Sequence, residues 1–222
     1  MRNAIIFDLD ETILDRTSSL RCFVEWQAYG MLSDELQGKE DAFINRFIAL
    51  DANGSVWKDI VYQKLIDEFY IKHWSSDELL TCYELCFCAF AQPKIHVQDA
   101  LETLNVDGYK LGLISNGNSP FQERNFRSLG IIHLFDSVIV SDAVGLRKPD
   151  PRIFQLSCRQ LQISPKDAIF VGDNPVSDIA GANQVGMFTV YVPGTHGTHC
   201  AAANAVCNNF QELPEIVRAA SE

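Results

Sequence analysis

At 222 residues the chain is too short for two full-sized domains side by side and long enough to bury one sizeable core, which favours a single domain carrying an insertion. Hydrophobic residues at 47 % and charged residues at 21 % exclude a disordered, collagen-like or low-complexity chain. Eighteen Lys and Arg against 29 Asp and Glu leave a formal charge of −11, which repels a phosphate backbone at long range, argues against nucleic acid as a partner and requires local cations to hold any anionic substrate.

In chain order, Ala4-Ile5-Ile6-Phe7 is a short apolar run ended by Asp8, as in a strand buried on both faces of a parallel sheet. Asp8 and Asp10 interrupt the one apolar stretch near the N-terminus that could pass for a signal peptide, and no stretch approaches the roughly 20 apolar residues of a membrane helix. The expected location is cytoplasmic, with no membrane partner. Seven cysteines, an odd number without two CxxC pairs, read as mostly reduced thiols rather than a secreted disulfide framework.

Residues 16–91 hold helical patterns and no convincing strand. Phe43, Phe47 and Leu50 mark one stripe, and Trp57, Ile60, Val61, Leu65 and Phe69 another. The segment reads as a helical cap domain, a lid entered after the first strand and left near Gln92-Pro93. Beyond it, the runs Lys110 to Ser115, Ser137 to Ser141, Ala168 to Gly172 and Phe188 to Val192 are β-rich and end at Ser, Gly or Pro. Helical spacings lie between them, at Phe121-Phe126-Leu129, Ile153-Leu156-Leu161 and Ile179-Ala182-Asn183, and Phe210 to Ala220 reads as a final amphipathic helix. This alternation predicts an α/β fold: a doubly wound, Rossmann-like parallel sheet core over 1–15 and 92–222, with the small all-helical domain inserted after the first strand. Ligands gather beyond the carboxyl ends of such strands, where the chain places Asp8, Ser115 and Asp173.

Four short motifs sit at or near those ends. Asp8 and Asp10, at i and i+2, fall on one side of an extended chain, and two carboxylates so close need a cation or a shared proton. Ser115-Asn116-Gly117 offers a hydroxyl and an amide beside a flexible glycine, several donors for a phosphate-sized anion. Lys148-Pro149 places a cation on a stiffened loop, where it can offset phosphate charge. Gly172-Asp173-Asn174-Pro175-Val176-Ser177-Asp178 puts Asp173 where it can join Asp8 as an oxygen ligand for Mg²⁺.

In this order, each at a strand end, the motifs resemble those of the haloacid dehalogenase superfamily, made up mainly of Mg²⁺-dependent phosphatases, over roughly residues 4–192. The resemblance implies a phosphoric monoester hydrolase acting on a small phosphorylated metabolite through an aspartyl-phosphate. It makes Asp8 the nucleophile and Asp10 the general acid and then base, with Thr12 orienting the pair. Ser115 and Lys148 would hold the transferring phosphoryl oxygens, helped by the Asn116 amide. Mg²⁺ would sit on a carboxylate oxygen of Asp8, the main-chain carbonyl of Asp10 and the carboxylate of Asp173, with Asp178 in support. Two departures stand out. Asn174 follows Asp173 where some relatives carry a second acid, which shifts supporting work to Asp178. Glu11 replaces the Gly or Asp of many relatives and is expected only to tune the turn.

Phosphoglucomutase-like transfer between sugar hydroxyls shares this core and cap and is the alternative enzyme. Haloacid dehalogenation is disfavoured because Asp10 and Thr12 are both present, and a non-catalytic binding module because Asp8 and Asp10 are both retained. Arg16 and Trp57-Lys58 are candidate leaving-group contacts in the lid, with helix packing an equal reading for Trp57. Cys82, Cys86 and Cys88 read as buried thiols rather than a soft-metal site, and His196, His199 and Cys200 as a flexible, solvated loop rather than a metal loop. A monomer and a homodimer both fit the composition.

Overall fold

The run Ala4–Phe7 forms strand β1 and has parallel neighbours on both sides, so all four residues are buried and none alternates with a polar one. The computed structural model describes residues 2–222 and continues the sheet with β2 (Lys110–Ser115), β3 (Ser137–Val140), β4 (Ala168–Gly172), β5 (Phe188–Tyr191) and β6 (Ala205–Val206). Among the described residues these make one six-stranded parallel sheet in the order β3-β2-β1-β4-β5-β6. Phe7 stands opposite Leu113 on one side and Val171 on the other, so β1 and β4 end nearly level. The winding reverses between them, which makes the crevice beyond their carboxyl ends the topological switch point.

The α/β fold is thus the doubly wound parallel sheet that the sequence predicts, with small departures. β3 and β5 stop one residue early, at Val140 and Tyr191, and β6 is an addition: two half-buried residues present no apolar run. The expected helix around Ile179 is a wide π-helical turn, Pro175–Ala180, followed by one α-turn at Gly181–Gln184. The amide of Ile179 reaches back five residues to the Asn174 carbonyl at 3.2 Å, which widens the turn. The C-terminal helix, Leu213–Ser221, is preceded by a 3₁₀ turn at Phe210–Glu212.

The helix Pro151–Leu161 shows how the core is built. Asp150 caps it by accepting from the Arg152 amide, and Pro151 supplies the preset first turn. Its face of Ile153, Phe154, Cys158 and Leu161 packs on Ile6, Ile114, Ile139 and Phe170, with the Phe154 and Phe170 rings edge to face at 5.1 Å.

Arg16–Gln92 is a separate compact unit, distinct from the one formed by Met1–Asp15 with Pro93–Glu222. Its regular elements are helical, among them Arg16–Trp26, Glu40–Asp51, Lys58–Phe69 and Ser76–Cys86. Phe43, Phe47, Val61 and Leu65 are buried as their spacing predicts, but Leu50 and Phe69 are only half-buried and Ile60 is 50 % exposed, on the outer side of its helix. Asp51, 2 % exposed, accepts hydrogen bonds from both terminal nitrogens of Arg16 at 3.0 and 2.8 Å and is ion-paired with the buried Lys58. Trp57 packs edge-on against Tyr83. Arg16 and Lys58, candidate leaving-group contacts in the sequence, both pair with this buried carboxylate. No helix among the described residues is long and apolar enough to cross a membrane.

Burial opposes charge on Asp51, yet the hydrogen bonds and charge of Arg16, then Lys58, hold its carboxyl below the usual range. A carboxyl depressed on folding adds stability that is complete above its unfolded value and fades as pH falls through the folded one. Asp51→Asn is expected to destabilise the helical unit by about 3–5 kcal/mol at neutral pH and to flatten the loss of stability below about pH 4. Tryptophan fluorescence reports this unit selectively, because all three tryptophans, Trp26, Trp57 and Trp74, lie within it. Urea midpoints and an acid limb equal to wild type would contradict the prediction.

Candidate active site

Asp8 leaves β1 with its amide bonded to the Val171 carbonyl at 2.9 Å, which fixes it between the ends of β1 and β4. The chain then turns sharply: the Leu9 carbonyl accepts from the amides of Thr12, Ile13 and Leu14, and Glu11 sits at φ +60°. That left-handed conformation explains why glycine suits this position, and Glu11, ion-paired with Lys94 at 3.1 Å, adopts it despite its Cβ. The turn also brings Thr12 back, so that its hydroxyl donates to Asp8 Oδ2 at 3.3 Å.

Lys148 is 3 % exposed, and its ammonium lies 2.5 Å from Asp8 Oδ1 and 2.8 Å from Asp178 Oδ1. Asn116, at the end of β2, secures the lysine loop: its amide nitrogen donates to the Lys148 carbonyl and its amide oxygen accepts from the Lys148 amide, both at 2.9 Å. The side chain that the sequence assigns to phosphate binding is thus bonded at both ends to the lysine main chain. Ser115 is buried, and its hydroxyl has no hydrogen-bond partner among the described residues, an exception in a protein interior and a donor suited to an incoming oxygen. Asp178 is held by the Asn174 amide at 3.0 Å and the Ser177 hydroxyl at 3.3 Å. Gly172 makes room for it, since a Cβ there would stand 2.5 Å from Asp178 Oδ2.

Asp8, Asp173 and Asp178 each present a carboxylate oxygen, all within 4.8 Å of one another and all buried. With one ammonium among three carboxylates, two negative charges are left over when all are ionised. Burial first, then the charges of Asp8 and Asp178, push the Asp173 carboxyl up to about 9. Burial raises Asp8 to about 7 against the pull of Lys148, with Asp178 and Asp10 adding to the rise. Burial also opposes the charge on Lys148, but Asp178 and Asp8 hold its ammonium well above the usual range. An all-oxygen, anion-rich donor set of this kind fits a hard divalent cation such as Mg²⁺. The Asp178 carboxylate stands in this group, bonded to Lys148 and the Asn174 amide, whereas the Asp10 side chain lies outside it and accepts from Gln122 Nε2 at 2.5 Å.

The cysteine cluster departs from its sequence reading, whereas residues 194–199 of the histidine loop are exposed, as a solvated loop should be. Cys82, Cys86 and Cys88 are half-buried rather than buried: the helix Ser76–Cys86 turns Leu79 and Tyr83 inward, and the 3₁₀ turn Phe87–Phe90 that holds Cys88 turns Phe87 inward. The His196 loop is tied to the site: Asn174 Nδ2 donates to His196 Nε2 at 3.1 Å, and that nitrogen lies 3.9 Å from Asp173 Oδ2. Tyr191 donates to the Gly197 carbonyl at 2.9 Å, and Cys200 is buried against Tyr191 and Ile179.

Known proteins resemble this chain in sequence and fold. The chain matches the haloacid dehalogenase-like hydrolase family over residues 5–192. It is 31 % identical over 195 residues to a glyceraldehyde 3-phosphate phosphatase of Pyrococcus abyssi, covering 86 % of this chain and 81 % of that protein. A glyceraldehyde 3-phosphate phosphatase of Methanopyrus kandleri is 38 % identical over 104 residues, 47 % of this chain but only 45 % of that protein. Among solved structures, a HAD phosphatase from Thermococcus onnurineus superposes with a TM-score of 0.68 at 28 % identity, covering 98 % of both chains. A family match that runs from β1 to one residue past β5 takes in every strand that positions a site residue, and the chain belongs to the haloacid dehalogenase-like hydrolase family.

Proposed function

We propose that the protein is a Mg²⁺-dependent phosphatase that hydrolyses the monoester of a small phosphorylated metabolite through a phosphoryl group carried on Asp8. The observation that carries this reading is the buried Lys148 ammonium shared by Asp8 and Asp178, beside Asp173 and the unpartnered Ser115 hydroxyl. A carboxylate attacks a phosphate dianion only when the repulsion is screened, and Lys148, already against Asp8, would screen both. Mg²⁺, held by Asp8, the main-chain carbonyl of Asp10 and Asp173 with Asp178 beside them, would supply the remaining positive charge and align the phosphoryl group.

In the first step an Asp8 oxygen forms a bond to phosphorus, the bond to the leaving oxygen breaks, and Asp10 gives that oxygen its proton. In the second, Asp10 takes a proton from water as it attacks phosphorus, and the bond to Asp8 breaks. Thr12 holds Asp8 in position for both, and Ser115 and Lys148 hold the phosphoryl oxygens. The names of the archaeal relatives favour a short sugar phosphate such as glyceraldehyde 3-phosphate as substrate.

The test is phosphate release from glyceraldehyde 3-phosphate, a panel of other phosphorylated metabolites and para-nitrophenyl phosphate, with Mg²⁺ and with chelator. Release is expected to require Mg²⁺, to fall to background on chelation and to return when Mg²⁺ is restored. A folded protein that releases no phosphate from any of them, or releases it equally under chelation, would overturn the proposal.

A further inference from the structure

Gln122 lies in the helix Phe121–Ser128 that follows β2 and is 4 % exposed. Both ends of its amide are engaged: Nε2 donates to Asp10 Oδ2 at 2.5 Å, and Oε1 accepts from Asn125 Nδ2 at 3.1 Å. The Asp10 carboxylate, an acceptor, sets which way the Gln122 amide faces, and Asn125, one turn on and 1 % exposed, supplies the second contact. Reversed, Gln122 would set its oxygen against the Asp10 carboxylate and its NH₂ against the NH₂ of Asn125. Gly117 leaves the space for this side chain, since a Cβ there would stand 2.6 Å from Gln122 Cγ and 2.9 Å from Nε2. An inward position beside Phe121 and Phe126 is one that an apolar residue fills at less cost. A buried glutamine aimed at one carboxylate, bonded to a second buried amide and given room by a glycine, is an arrangement directed at Asp10.

We propose that Gln122 is a positioning residue for Asp10, fixing the direction of its carboxylate so that the proton passes along one line to the leaving oxygen and later from water. This rests on the reading of Asp10 as the acid and base of a phosphatase. As the bond from phosphorus to the leaving oxygen breaks, its electron pair goes to that oxygen, and an alkoxide requires the Asp10 proton at that moment. A nitrophenolate leaves without one. Loss of Gln122 therefore slows the cleavage of alkyl esters and spares that of the aryl ester.

The test is steady-state kinetics of the full chain with Mg²⁺ for wild type, Asp8→Asn, Gln122→Met and Gln122→Glu, on para-nitrophenyl phosphate and on the alkyl phosphate that the release panel ranks first. The quantity kcat/KM reports steps only as far as departure of the leaving group. Gln122→Met is expected to lower it by about 10- to 100-fold for the alkyl ester and by less than about 3-fold for the aryl ester. Gln122→Glu still accepts from Asn125 but faces Asp10 with an oxygen, and it is expected to lose more on the alkyl ester than Gln122→Met. Equal losses on both esters, no loss on either, or failure of both variants to fold would overturn the positioning role while Asp8-dependent turnover in wild type left the phosphatase reading standing. A wild type that hydrolyses no alkyl phosphate would overturn both.

Discussion

Asp8→Asn is expected to lower phosphate release by about four orders of magnitude or more while leaving the protein folded. Asparagine keeps the size of the side chain but lacks the anionic oxygen that must bond to phosphorus. Its effect on stability runs the other way. Burial pushes the Asp8 carboxyl up to about 7, so its charge at neutral pH is held at a cost, and Lys148 keeps Asp178 as an ion-pair partner at 2.8 Å after the substitution. The melting temperature is therefore expected to equal or exceed that of wild type. A variant with substantial Mg²⁺-dependent turnover would remove Asp8 from the role of nucleophile, and an unfolded one would make it a structural residue.

Lys148→Met is expected to lower both activity and stability. The methionine fills much of the same volume but leaves Asp8, Asp173 and Asp178 without their ammonium. Removing one partner of a buried ion pair costs about 3–5 kcal/mol, and that loss should appear as a lower urea midpoint in the metal-free protein. Phosphate release is expected to fall by about 10²- to 10³-fold, the range for losing one preorganised charge or donor at a developing anion. Because Mg²⁺ replaces part of the missing positive charge, it should raise the melting temperature of the variant more than that of wild type. Arginine is no substitute, since its wider fork does not fit a position that is 3 % exposed. Near-wild-type turnover in Lys148→Met would show that the lysine screens nothing the reaction needs.

The parts of this molecule that are legible in its sequence are those whose cause is local. β1 and β4 are buried on both faces, so Ala4–Phe7 and Ala168–Gly172 appear as unbroken apolar runs, and the residues that follow them, Asp8 and Asp173, inherit their place at the switch point. β6 has no such run, because two residues at a sheet edge need none. Side-chain pairing over distance is the harder part. Gln122 meets Asp10 across 112 positions and Lys58 meets Asp51 from the next helix, and no periodicity announces either. For Gln122 the available signal was chemical: a glutamine on the inward side of a short helix, close behind Ser115-Asn116-Gly117. The amide of Asn116 illustrates the same limit. Its type and motif suit an anion, whereas its geometry shows two bonds to the Lys148 main chain.

The phosphoryl group proposed for Asp8 can be sought on that residue itself. Asp10→Asn removes the base for the second step, while para-nitrophenyl phosphate needs no acid for the first, so the intermediate should accumulate. A burst of nitrophenolate is expected, followed on acid quench and peptide mass spectrometry by one phosphoryl group on the peptide that contains Asp8. A burst that leaves Asp8 unmodified, or places the phosphoryl group on another residue, would contradict the proposal.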